Sequence, residues 1–226
     1  SFVHPTHCLM LAILWKDILL ELRTKERVSS LLVLAILIVL VFVFALTPEQ
    51  LKDPALGAAL LWIALIFAGM LSIQRAFILE HERNCIDGLL LCPIDSGQFF
   101  FAKFLSNVFF LTLVETIVTP LTIALLGIPF SASLLGLPLV FLLGIVGFSA
   151  LGTLFAAMTV RTRAREILLP LMLLPLLVPL LIAVVQVTGA LLAGDVWTGV
   201  WLRVLVAFDV IFVVTSWLTF GFVLQE

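Results

Sequence analysis

Tyrosine is absent from this 226-residue chain, histidine and cysteine each occur only three times, and 12% of residues are charged. Each scarcity closes off a class of chemistry. His4, His7 and His81 all lie outside the long apolar runs, so neither a Ser/His/Asp triad nor a metal site inside a membrane has an imidazole to work with. Cys8, Cys85 and Cys92 form no Cys-x-x-Cys pair; they are too few and too scattered for a disulfide framework or a metal knuckle and read as free thiols. No glycine is followed by Lys and then Ser or Thr, so there is no phosphate-cradling loop and no ATP hydrolysis by that route. A net charge of −2 leaves no dense Lys/Arg surface to neutralise phosphates, which excludes a nucleic-acid binder.

What the chain has in abundance is apolar surface. With 63% hydrophobic residues and a mean hydropathy of +1.32, it lies outside the range of soluble domains and reads as an integral membrane protein. A bilayer core of roughly 30 Å takes about 20 apolar residues of helix. Six runs meet that length: Val28 to Leu46, Leu56 to Ile78, Phe99 to Gly127, Leu134 to Met158, Ile167 to Leu191, and Arg203 to Val223. The links are short, so residues 1–226 form one membrane domain. Lys16, Arg23, Lys25, Arg27, Arg75, Arg83, Lys103, Arg161, Arg163 and Arg165 fall on one side, with only Lys52 and Arg203 on the other. The first side is therefore cytoplasmic, and both termini face it. The first long run is a full span with no brief basic segment before it, so no cleavable signal peptide is expected. Met10 offers a native start, which would make Ser1 to Leu9 an upstream extension.

Ahead of the first span, residues 8–27 place Lys16, Asp17, Glu21, Thr24 and Lys25 at helical spacing, with Leu11, Leu14, Ile18 and Leu22 elsewhere around the turn. The pattern predicts an amphipathic helix, lying on the membrane surface beside anionic lipid headgroups or packed on the bundle. Span four carries Gly144, Gly147, Ser149, Ala150, Gly152, Thr153, Ala156 and Ala157, small residues that allow close helix approach in lipid, at an interior or a dimer-facing position. Span five contains Pro170, Pro175 and Pro179, each removing a helix hydrogen bond, so it is expected to be deformable or broken. Pro175 and Pro179 are candidate gating residues.

Two acids, Glu115 and Asp209, fall inside spans. A charge at mid-bilayer costs about 2.5 to 3.5 kcal/mol on insertion scales, which makes such residues functional candidates by default. The alternative for Glu115 is a neutral or interhelically paired role as polar glue; for Asp209 it is a place near the outer headgroups, six residues after Arg203. Trp197, Trp201 and Arg203 belong to the outer face, either as an interfacial aromatic belt or as a platform for a planar ligand or partner.

Between spans two and three stands a polar island, Glu80 to Pro93, inside the segment 79–98. Glu80, Glu82, Arg83 and Asp87 supply polar contacts, Ile86, Leu89, Leu90 and Leu91 an apolar face, and Pro93 a stop. The pattern predicts a short cytoplasmic helix able to enter a groove on a soluble partner, or else a loop lying passively on the bilayer. The expected fold is all-α: six transmembrane helices, an N-terminal amphipathic interfacial helix and this short coupling helix.

Several segments carry a specific likeness. Leu61-Trp62-Ile63-Ala64 through Gln74-Arg75-Ala76-Phe77, Glu80-x-Glu82-Arg83, Asp87-Gly88-Leu89-Leu90-Leu91-x-Pro93 and Lys103 resemble the second span and coupling segment of the CcmB family, the ABC-2-like membrane permease of the cytochrome c maturation ABC transporter. Leu14-Trp15-Lys16-Asp17 to Glu26 is similar to that family's opening helix, and Leu174-Pro175 through Pro179-Leu180 to its proline-rich fifth span. Asn84-Cys85-Ile86 departs from the Gly-Thr of the wider ABC-2 exporters and favours the narrower family. The resemblance implies a permease of the bacterial inner membrane with no enzymatic activity of its own, required for haem delivery and c-type cytochrome biogenesis. It also implies partners: a second copy of the chain, a CcmA-like ATPase holding ATP and magnesium, CcmC-like and CcmD-like haem-handling subunits, and the haem chaperone CcmE. Glu80, Glu82, Arg83, Asp87, Leu90 and Pro93 would then be the ATPase-coupling residues. Haem iron is normally held by His, Cys, Met or Tyr. With only Met70, Met158 and Met172 in or near the spans, the chain is expected to bind no cofactor tightly and to act as pathway or mechanical coupler for haem as the assembly's substrate. The competing readings are an ABC-2 permease for a lipid or other hydrophobic substrate, and a non-transporting scaffold whose island recruits a partner.

Overall fold

A computed structural model of the chain describes residues 14–21, 23, 25–82, 96–128, 132–159, 162, 165–195 and 199–225, and among these there is no β-strand. Six long helices carry the fold: α1 (Glu26–Ala45), α2 (Pro54–Glu82), α3 (Ser96–Leu126), α4 (Leu137–Thr159), α5 (Arg165–Leu192) and α6 (Gly199–Gln225). Each contains a stretch long and apolar enough to cross a membrane, and the six stretches, from Arg27–Ala45 to Gly199–Val223, agree with the expected spans to within a few residues.

Local chemistry sets the helix ends. After α1, Thr47 and Gln50 cap one another: the Thr47 N–H donates to Gln50 Oε1 at 2.9 Å and the Gln50 N–H to Thr47 Oγ1 at 3.4 Å, the reciprocal pairing of a capping box. Asp53 Oδ1 accepts from the Ala55 N–H at 3.0 Å, with Pro54 at the first helical position of α2. α3 and α5 close on left-handed glycines, Gly127 at φ 66° and Gly194 at φ 86°. Beyond each, the next N–H reaches back five residues, Ile128 to Ile123 O at 3.2 Å and Asp195 to Ala190 O at 2.9 Å, as in a Schellman cap.

α4 is the interior helix, packed against α2, α3, α5 and α6. Its glycines are where neighbours press in. A Cβ on Gly144 would stand 2.1 Å from the Trp62 ring, and one on Gly152 2.3 Å from Ile73. Trp62, held there by its indole N–H donating to Thr188 Oγ1 at 3.0 Å, thus joins α2, α4 and α5. α1 sits apart, contributing the narrow stripe Leu31, Ala35 and Val39 to a small second core with Leu60, Ala64, Ala68, Val114 and Val118. Its other faces, including Val33, Leu37, Val41 and Phe44, are exposed, as a lipid-facing helix requires.

One expectation is corrected, and of another one alternative falls away. The N-terminal helix does not run unbroken to residue 27: residues 14–21 are helical, but Lys25 adopts φ 54° and interrupts the path before α1 begins. The carboxylate of Glu21 then bridges the break, accepting from the Val28 N–H in the first turn of α1 at 2.7 Å. Span five is not broken by its prolines, which all lie inside the continuous α5. Pro175 and Pro179 sit on its exposed side, opposite the buried Leu173, Leu177, Leu180, Val184 and Val187, so the bonds they remove are on the outer surface and the packed face stays intact.

Candidate functional site

A polar junction lies at the end of the bundle that the charge count assigns to the cytoplasm. Arg27, in the first turn of α1, donates from Nε to Ser72 Oγ on α2 at 2.8 Å and from Nη2 to Asn107 Oδ1 on α3 at 2.6 Å. Asn107 passes the connection on, donating from Nδ2 to Thr153 Oγ1 of α4 at 3.0 Å. Four helices are therefore joined, α1 to α3 through one guanidinium, whose rigid fork suits two divergent acceptors, and α4 through the Asn107 amide. Its Cζ lies over the Phe110 ring, 4.6 Å from the centre, a cation–π contact. Ser72, Asn107 and Thr153 are fully or almost fully buried, so loss of Arg27 would leave unmet polar groups in an apolar interior. Arg75 adds a second link between α1 and α2, donating to Ser30 Oγ at 2.8 Å.

The first turns of α3 are fixed on two further sides. Lys103, buried with 2% of its side chain exposed, pairs with Asp17 of the leading helical segment at 2.9 Å. Phe100 packs on Phe220 of α6 with ring centres 5.2 Å apart, and Phe99 on the same ring at 6.1 Å. At a rise of ~1.5 Å per residue, Lys103 and Asn107 stand roughly 10 and 16 Å along α3 from its start at Ser96, and Ser72 about 15 Å from the end of α2 at Glu82. The helices that flank the polar island are thus bound to α1, α4, α6 and the leading segment just inside the ends that lead into it.

The expected site residues fall out as follows. Glu80 and Glu82 occupy the last turns of α2, with side chains outside the described residues; Arg83, Asp87, Leu90, Pro93 and Trp197 also lie outside them. Trp201 is half-buried against the main core, while Arg203 is exposed on α6, which begins earlier, at Gly199. Glu115 and Asp209 are both buried, at 4% and 6% exposure. Glu115 Oε1 accepts from Thr119 Oγ1 one turn along the same helix at 2.9 Å, so its partner among the described residues is on its own helix. Asp209 lies in a seam between helices: its carboxyl is against Gly147 of α4, where a Cβ would meet Oδ1 at 2.5 Å, and among the described residues neither oxygen has a hydrogen-bond partner. The two acids are separated by α4, Glu115 facing a cleft between α3 and α4 and Asp209 the seam with α6.

Sequence reasoning misses the Arg27 junction. Arg27 reads there only as a topology charge, and a search for acids within spans passes over Asn107. A buried amide inside an apolar run is itself the signal, because it needs a partner from another helix.

Similarity to known proteins agrees with the segments singled out above. Residues 8–225 match the model of the CcmB protein family. Three curated relatives are each named heme exporter protein B. The one from Rhodobacter capsulatus is 32% identical over 173 residues, 76% of this chain and 79% of the relative. The one from Pseudomonas aeruginosa is 34% identical over 164 residues, 73% of each. The one from Bradyrhizobium diazoefficiens is 25% identical over 200 residues, 88% of this chain and 90% of the relative. With nearly its whole length matched and its six-helix plan in place, the chain belongs to the CcmB family.

Proposed function

We propose that this chain is the permease subunit of a haem-exporting ABC transporter in the bacterial inner membrane, with both termini in the cytoplasm, and that it serves c-type cytochrome biogenesis by coupling a partner ATPase to the membrane assembly. The observation that carries the coupling reading is the Arg27 junction with its neighbours, which ties both helices flanking the polar island to the rest of the bundle. A push on residues 83–95 by a closing ATPase dimer would displace the end of α2 and the start of α3 together. From there Lys103 leads to the leading segment, Phe100 to α6 and Asn107 to α4, so the displacement reaches every helix that the junction touches. ATP and magnesium belong to the partner in this scheme, and haem is the cargo of the assembly or of its chaperone. A second copy of the chain and CcmC-like and CcmD-like subunits complete it.

The chain itself performs no bond chemistry; its contribution is a difference in contacts between two bundle arrangements that the ATPase selects. The test is haem staining of c-type cytochromes in cells lacking the chain. Loss of staining, restored by the gene in trans, is expected; normal levels would refute the haem reading. For the coupling half, Glu82→Lys with Asp87→Lys should strip the ATPase from the purified complex. Full retention of the ATPase would move its docking site elsewhere.

A further inference from the structure

On the half of the bundle away from the Arg27 junction, a cleft of about 290 Å³ opens between α3 and α4. Its walls are apolar, with Phe141 at the base and Leu142 and Pro138, both exposed, at the mouth. The polar side chains that line it, Thr112, Glu115, Thr116 and Thr119, all belong to α3. Glu115, a residue 4% exposed, brings a carboxyl. Pro120 has no N–H to return to the Thr116 carbonyl, so that acceptor loses its usual intrahelical donor. The Thr112 hydroxyl, also on the lining, is buried without a hydrogen-bond partner among the described residues. The Thr116 and Thr119 hydroxyls already donate within α3, to Thr112 O at 2.7 Å and Glu115 Oε1 at 2.9 Å, so unspent acceptors outnumber unspent donors in a pocket that opens toward the surface that lipid covers.

We propose that this cleft binds a membrane-soluble molecule with an apolar body and a hydroxyl, whose O–H donates to Glu115. Depth decides the class. Glu115 lies eleven residues before the end of α3 at Leu126, about 16 Å along the axis, so the head of an ordinary phospholipid anchored at the nearer interface does not reach it. A cationic head would have to carry its charge into hydrocarbon. A neutral hydroxyl on a chain or ring meets neither obstacle, and burying it without a partner elsewhere in the bilayer is unfavourable. The cleft holds one end of such a molecule, its remainder lying in the bilayer beside α3 and α4. The site stands independently of the coupling reading, being on the opposite half of the bundle from the Arg27 junction.

The experiment is photolabelling of the full chain in phosphatidylcholine vesicles with a diazirine-bearing hexadecanol and with its methyl ether, followed by mapping of the labelled peptides. The alcohol should label the 112–145 region about tenfold more than the ether, the worth of one hydrogen bond made in an apolar site. Glu115→Leu should remove that preference, and Glu115→Gln, whose amide oxygen still accepts, should keep most of it. Leu142→Trp blocks the mouth from an exposed position without touching the core and should abolish labelling by the alcohol in a normally folded protein. Equal labelling by alcohol and ether in the unmodified chain, or alcohol labelling undiminished by Leu142→Trp, overturns the assignment.

Discussion

Arg27 sits at the head of its own helix, yet its hydrogen bonds go to two others, 45 and 80 residues further along the chain. Arg27→Ala leaves Ser72 and Asn107 without a donor in a buried setting, where an unmet hydrogen bond to a charged group is worth about 1.5 to 3 kcal/mol. A loss of about 2 kcal/mol in unfolding free energy is expected, read as a lowered denaturation midpoint in detergent. Arg27→Lys should recover only part, because an ammonium cannot fork toward both acceptors and loses the stacking on Phe110. If Arg27→Ala unfolds with the unmodified chain, the junction is incidental. At this scale the sequence is a partial guide. Glu115 and Asp209 stand out because carboxylates are rare in apolar runs, and both are buried. Their partners cannot be read from it, since whether a carboxyl turns to its own helix, as Glu115 does to Thr119, or into a seam, as Asp209 does over Gly147, depends on the rotation of α3 and α6.

Among the elements, α4 and α5 answer to different constraints. α4 is packed through its glycines, so Gly144→Ala must displace the Trp62 ring and with it the bond to Thr188. Overpacking of this sort costs about 1 to 3 kcal/mol. Loss of thermal stability together with a change in Trp fluorescence should mark it, whereas a silent Gly144→Ala would mean that the ring has room the packing does not show. α5 is the reverse case, with two of its three prolines on an exposed face. Pro175→Ala combined with Pro179→Ala restores two helix N–H groups at no packing cost, so the fold should be as stable as before or firmer by about 1 kcal/mol. If bending of α5 belongs to the transport cycle, c-type cytochrome levels should nonetheless fall in cells carrying the double variant. Normal levels would limit these prolines to packing. The density of small residues in span four is readable because close approach in lipid demands it. The continuity of α5 is not, because a proline's effect depends on which side of the helix it faces. The start of α6 escapes the sequence for a similar reason: Arg203 looks like a boundary, but an exposed arginine near a helix end keeps its charge outward while Gly199 to Leu202 extend the helix beyond it.

For the whole molecule, six helices and their order are legible from apolar run length alone, since lipid permits few other ways to satisfy a backbone. What run length does not convey is how unevenly the bundle is held together: α2 to α6 share one core, and α1 is held by a narrow stripe, the Arg27 junction and the Arg75–Ser30 bond. Changing Leu31, Ala35 and Val39 together to Gly should therefore release α1 while α2 to α6 stay packed, detectable as loss of crosslinks between α1 and α2 with those between α4 and α6 retained. Loss of both sets would make α1 integral to the main core.

The Arg27 junction also carries a consequence for how the protein is made. Ser72 and Asn107, the two acceptors of Arg27, and Thr153, which accepts from Asn107, are synthesised in that order after it, so when this span leaves the ribosome its guanidinium has neither acceptor to meet. It must wait in the aqueous boundary until the second and third spans have been inserted, and only the arrival of the fourth completes the chain of bonds. The complete junction is therefore expected only once all four helices are present. A nascent chain halted after the second span should hold α1 loosely, and one extended past residue 153 should lock it.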